Sequence, residues 1–102
     1  MLRETINRIE ILESGEFFLG IEGSGSASYQ YIYREAAGIY WDPERNGFKS
    51  TKMQNWPCSQ WFNHIVSVTH SGLGVELKLA TNIEWSNIPE SEMVKITNAK
   101  AI

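Results

Sequence analysis

The chain has 102 residues, 42% of them hydrophobic and 21% charged, the proportions of a globular chain rather than a disordered or membrane-spanning one. That length is expected to form one α+β domain over residues 1–102 with a single core, and the lone cysteine excludes an internal disulfide, which makes a reducing cytoplasm the expected compartment. A net charge of −3 argues against a nucleic-acid partner, whose binding rests on neutralising phosphates, and no apolar run reaches the roughly 18 residues of a membrane span.

In chain order, the alternation Arg8-Ile9-Glu10-Ile11-Leu12-Glu13 predicts a first strand over 5–13 with Ile9 and Ile11 inward. Ser14-Gly15 separates it from a second alternating run, Glu16–Glu22, so the two form a hairpin with Phe17, Leu19 and Ile21 on the core face. Gly23-Ser24-Gly25-Ser26 reads as a flexible connection; it lacks the lysine and the following helix of a phosphate-binding loop. Tyr29, Tyr31 and Tyr33 recur at every second position, the period at which strand side chains share one face, so a strand is predicted over 28–34. A further strand over 38–42 leads into Asp42-Pro43-Glu44-Arg45-Asn46-Gly47, a turn with Pro and Asn-Gly at its special positions, and then a strand over 47–51.

Pro57–Ser71 is the principal helix: Cys58, Trp61, Phe62, Ile65, Val66 and Val68 form an apolar stripe, Asn55 and Ser59 compete as N-cap, and Gly72 is the expected stop. His64 and His70 fall on or near its wet side. A strand follows over 74–81 with Val75, Leu77 and Leu79 inward, extended through Ile83-Glu84-Trp85 after a kink at Asn82. The tail, 89–102, fits a short helix opened by Pro89, Glu90 and Glu92, although Val94–Thr97 also fits an edge strand. The resulting architecture is an antiparallel sheet of five or six strands with one main helix on a face and one open edge.

Candidate chemistry is thin. Cys58 stands at a helix start, where the dipole favours a thiolate, yet His64 and His70 are ~9 and ~18 Å along the same helix, too far for a dyad. Cys58 is therefore expected in the core. The two histidines lack metal-ligand spacing and no CxxC or HExxH motif occurs, so neither a metal nor a cofactor is expected. Glu35, Asp42 and Glu44 could converge near Arg34 and Arg45, but Asp42 has a sufficient role in opening the turn. Residues 1–44 hold three basic and eight acidic side chains against six and four over 45–102, with Arg45, Lys49 and Lys52 clustered past the turn. These features lean away from an enzyme.

The aromatic set carries more information: four tryptophans and four tyrosines supply large apolar area with a polar tip, the profile of half-buried binding patches. Through YQYIYREAAGIYWDPERNGF and WPCSQWF, in size and tryptophan content, the chain resembles the small orphan proteins carried by bacterial mobile, integron-type gene cassettes, and more loosely the immunity proteins that neutralise toxins. That resemblance implies an α+β domain, frequently oligomeric, with a binding role. Three functions are expected in order. The first is a self-associating interaction module, a homodimer or a partner of another protein, that uses Tyr29, Tyr31, Tyr33, Tyr40, Trp41 and Trp61. The second is a small-ligand site or enzyme with a pocket between helix and sheet lined by Tyr33, Tyr40, Trp41 and Trp61. The third is an immunity-type inhibitor of a basic toxin, which requires the acids of 1–44 to form one patch.

Overall fold

The alternating runs on either side of Ser14-Gly15 do pair: β1 (Leu2–Ile11) and β2 (Glu16–Ile21) form an antiparallel hairpin. Gly15 supplies its positive φ of 88°. The computed structural model describes residues 2–53 and 55–99. After β2 come a 3-10 helix (Ala27–Glu35), β3 (Ile39–Asp42), β4 (Gly47–Lys52), α1 (Cys58–Leu73), β5 (Val75–Ser86) and α2 (Glu90–Ala99). The expected tail helix is present as α2, and positions 100–102 lie outside the described residues.

The five strands make one sheet in the order β3-β4-β2-β1-β5. It is α+β as expected but mixed, not antiparallel throughout, because β5 runs parallel to β1. The cause is the connection. A helix crossing a sheet face returns the chain in the direction it left, and α1 carries it from β4 to β5 at the far edge. Regular alternation would put Ile6 and Ile9 on opposite faces, yet both are fully buried, because a register irregularity between Ile6 and Arg8 resets the side-chain phase.

Phe17, Leu19, Ile21, Phe48 and Leu77 from the sheet meet Phe62, Ile65 and Val66 of α1 in the core, and Ile96 of α2 closes one end. Helix α1 stops at Gly74 in the left-handed region (φ 68°), one half-turn beyond the expected Gly72. Its N-cap is Pro57, with no side-chain bond, rather than Asn55 or Ser59. The cap comes from elsewhere in the chain: Glu92 Oε1 accepts from Ser59 N–H at 2.8 Å and ties α2 to the start of α1. That bond, stronger than the opposing effect of burial, and the nearby Lys95 hold the Glu92 carboxyl below its usual range.

The second large correction concerns residues 28–34. They form a 3-10 helix instead of a strand. Ser26 opens it, with its Oγ accepting from Ser28 N–H, and Ala36 closes it in the left-handed region (φ 52°). Side chains three apart eclipse in this helix, so Tyr29 and Ile32 point inward together while Tyr31 and Arg34 share the outside. The tyrosines therefore do not form one face.

The other sheet face is charged, with one buried ring. Phe18 is covered by the Arg8 guanidinium, 5.1 Å from its centroid, and Arg8 Nη2 donates to Arg45 O at 2.6 Å. Gly47 lies opposite, where a Cβ would sit 2.5 Å from the Phe18 ring and run into Leu19 O.

Candidate functional site

Aromatic residues collect in three places. In the interior, Tyr29, Trp41 and Phe48 stack with centroids 5.3, 5.6 and 5.0 Å apart. The Tyr29 hydroxyl donates to Glu4 Oε2 at 2.6 Å. Burial, that bond and the adjacent carboxylate charge push the phenol pKa well above its ordinary value. Tyr29 and Phe48 are fully buried in this cluster, and Trp41 covers them from the partly exposed side.

On the surface, Tyr31 and Tyr33 are 42% and 52% exposed on the 3-10 helix, and the Arg34 guanidinium lies 4.4 Å from the Tyr31 ring centroid. Tyr40 is exposed as well, but it alternates with Ile39 and Trp41 and so belongs to the charged sheet face, paired in register with Lys49.

The third cluster is at the start of α1. Trp56 and Trp61 have centroids 4.7 Å apart, and His64 stands 5.1 and 5.7 Å from them. His64 is half-buried, not on the wet side, and its Nε2 is 2.9 Å from Ala37 O. Beside these rings lies a cleft of about 270 Å³ lined by Thr51, Lys52, Asn55, Trp56 and Trp61. Trp61 is only 8% exposed, and its indole N–H is buried without a hydrogen-bond partner among the described residues. The four residues expected to line one pocket are thus dispersed: Tyr33 on the 3-10 helix, Tyr40 on the charged face, Trp41 inside, and Trp61 in this cleft. Trp56, Asn55, Thr51 and Lys52 carry no spacing signal that joins them to Trp61. Their sequence hints are the density of tryptophan around Pro57 and the place of Lys52 in the basic cluster past the turn.

A family model, Integron Cassette Protein Hfx_Cass5, matches residues 5–83, from β1 into β5. The chain belongs to the Hfx_Cass5 family. It is also similar to a solved structure from the mobile metagenome of North West Arm Sewage Outfall, an integron cassette protein, at 30% identity over 100% of this chain and 99% of that one, with a TM-score of 0.44. No curated protein matches.

In this Hfx_Cass5-family chain the classical chemistries find little support. Cys58 is buried, and burial with the charge of Glu92 pushes its thiol above the ordinary value, which disfavours the thiolate. Asp42 is buried too, but as a turn-former: its Oδ1 accepts from Glu44 and Arg45 N–H at 3.1 Å each, and Oδ2 meets Arg45 at 3.0 Å and Lys49 at 3.5 Å. Burial raises its pKa, yet the Arg45 hydrogen bonds and both cations outweigh that and leave it lowered. Glu35 is elsewhere, against Gly72 of α1, so the three acids do not converge. Glu4 bonds Tyr29, and Glu16 and Asp42 are engaged by Lys49. Among the described residues, no group of three His, Cys, Asp or Glu could hold a metal, and no helix is long and apolar enough to cross a membrane.

Proposed function

We propose that this Hfx_Cass5-family chain is a non-enzymatic binding module of the cytoplasm that pairs with a second copy of itself through the outer side of the 3-10 helix. The observation that carries this reading is the exposure of Tyr31 and Tyr33 on a segment anchored from below by fully buried Tyr29 and Ile32. A rigid base presents two phenol rings and the stacked Arg34 without the ordering cost of a mobile loop. Tyr and Arg are the residues that dominate contact energies in protein interfaces. The neighbouring strand β3 is four residues long and forms one edge of the sheet, so a self-complementary contact there gains backbone pairing as well as ring burial.

The test is light scattering on the wild type and on Tyr31→Ser/Tyr33→Ser across a concentration series. The reading expects a dimer that the double substitution converts to a monomer, with the melting temperature of the protomer unchanged. A wild type that stays monomeric throughout the series refutes self-association. The immunity-type alternative is weaker, because Glu4 is engaged by the Tyr29 hydroxyl and Glu16 and Asp42 are both engaged by Lys49, which leaves these three acids partly neutralised within the protomer.

A further inference from the structure

We infer that the cleft between the end of β4 and the start of α1 binds a small ring compound bearing one anionic oxygen group, a carboxylate or a phosphate ester. This site is distinct from the self-association surface and does not depend on it. Three independent features meet there: an unpaired cation, an unpaired buried donor and an exposed flat ring.

The cation is Lys52. Arg3, Lys49, Lys78, Lys95 and Arg45 each face a carboxylate, Arg8 lies over Phe18 and Arg34 over Tyr31. Lys52 alone among the described lysines and arginines has no carboxylate, carbonyl or ring partner. Its cross-strand neighbour Glu16 does not reach for it; that carboxylate takes Ser14 Oγ at 2.7 Å and Lys49 at 3.8 Å instead. The donor is the Trp61 indole N–H, enclosed and without an acceptor. A tryptophan N–H can only donate, and leaving it unmet inside a protein costs free energy that an incoming oxygen returns. The ring is Trp56, 36% exposed and held by ring contacts with no hydrogen bond among the described residues. Its exposed face offers a stacking platform beside Trp61. Asn55 and Thr51 on the rim add neutral polar groups.

Each feature selects part of the ligand. Lys52 selects negative charge, made more effective beside two low-dielectric indoles. Trp61 requires an acceptor oxygen rather than a donor. Trp56 favours a flat or cyclic body, and a volume of about 270 Å³ limits it to roughly one ring with its substituent. Two further clefts among the described residues, near Trp41 with Gln30 and near Trp85 with Met93, are lined by neither an unmet buried donor nor a lysine or arginine.

The probes are benzoate, phenyl phosphate and the neutral isostere benzamide, titrated into ¹⁵N-labelled protein. The Trp61 indole resonance is assigned by its loss in Trp61→Phe or through NOEs to His64. It is expected to move downfield and saturate with at least one of the two anions and not with benzamide; whichever anion binds more tightly identifies the preferred group. Lys52→Gln, an exposed change that removes the charge and keeps a polar tip, is expected to weaken that binding about tenfold with the melting temperature unchanged. Trp56→Ala is expected to weaken it comparably. An indole resonance that stays fixed through millimolar additions of both anions overturns the inference. So does equal binding of benzamide, or Lys52→Gln binding as tightly as the wild type.

Discussion

The interior cluster of Tyr29, Trp41 and Phe48 and the cleft cluster of Trp56, Trp61 and His64 are built to one scale, with centroids 5.0–5.6 Å apart in the first and 4.7–5.7 Å in the second. Their polar atoms differ. The Tyr29 hydroxyl donates a hydrogen bond to Glu4 at 2.6 Å, while the Trp61 N–H meets nothing among the described residues. Ring clustering by itself is therefore a packing device; a buried donor left unmet in a residue that lines a cleft is what sets the second cluster apart from the first. Their supports differ as well. Trp41 and Phe48 sit on the paired strands β3 and β4 and Tyr29 on the 3-10 helix packed beside them, whereas Trp56 precedes α1 and lies outside any regular element.

Breaking the interior cluster should cost most. Phe48→Ala empties a fully buried ring site and is expected to lower stability by about 3–5 kcal/mol, whereas Trp56→Ala at the open cluster should cost about 1 kcal/mol from its lost ring contacts; urea unfolding of both variants measures the gap. Comparable losses would erase the distinction between the two clusters.

The next effect tests the turn that carries Trp41 into Phe48. Asp42→Asn keeps the shape but weakens the bonds to Arg45 and Lys49, with an expected loss of about 1–3 kcal/mol. Because the folded carboxyl lies below its unfolded value, its contribution is complete above the ordinary carboxylate range near pH ~4 and disappears as pH falls through the lower folded value. Glu92, also lowered, acts in the same direction at the start of α1. Acid unfolding followed by circular dichroism should accordingly be less steep in Asp42→Asn than in the wild type.

The smallest effect sharpens the contrast between a met and an unmet polar tip. Tyr29→Phe removes the hydroxyl bonded to Glu4 and is expected to cost about 1 kcal/mol at neutral pH. The folded phenol pKa is raised, so the stability it supplies is full below the ordinary tyrosine value near ~10 and declines as pH rises beyond it. Tyr29→Phe should lose that part of the alkaline dependence, which thermal melts on either side of pH ~10 would read.

Much of the architecture was legible because short-range physics governs it. The β1–β2 hairpin followed from two alternating runs around Ser14-Gly15, α1 from the Cys58–Val66 stripe, and the Asp42–Gly47 turn from Asp and Asn placed where the backbone needs them. The 3-10 helix was not legible. Tyr29, Tyr31 and Tyr33 satisfy a two-residue rhythm, but Ile32 competes with it at a three-residue spacing from Tyr29. What decides between them is the room beside Trp41 and Phe48, which no local pattern contains. The candidate cleft was hidden for a related reason: Lys52 and Trp61 approach only because β4 ends where α1 begins.

Read alone, the chain determined its α+β class, its hairpin and its main helix, since periodicity and turn chemistry act over a few residues. The tertiary structure alone decided that β5 runs parallel beside β1, that three tyrosines part company, and that the buried Trp61 indole donor is left without an acceptor among the described residues. Those outcomes depend on which distant surfaces meet once the core closes. Strand direction, side-chain exposure and hydrogen-bond satisfaction are properties of such meetings, not of the segments that take part in them.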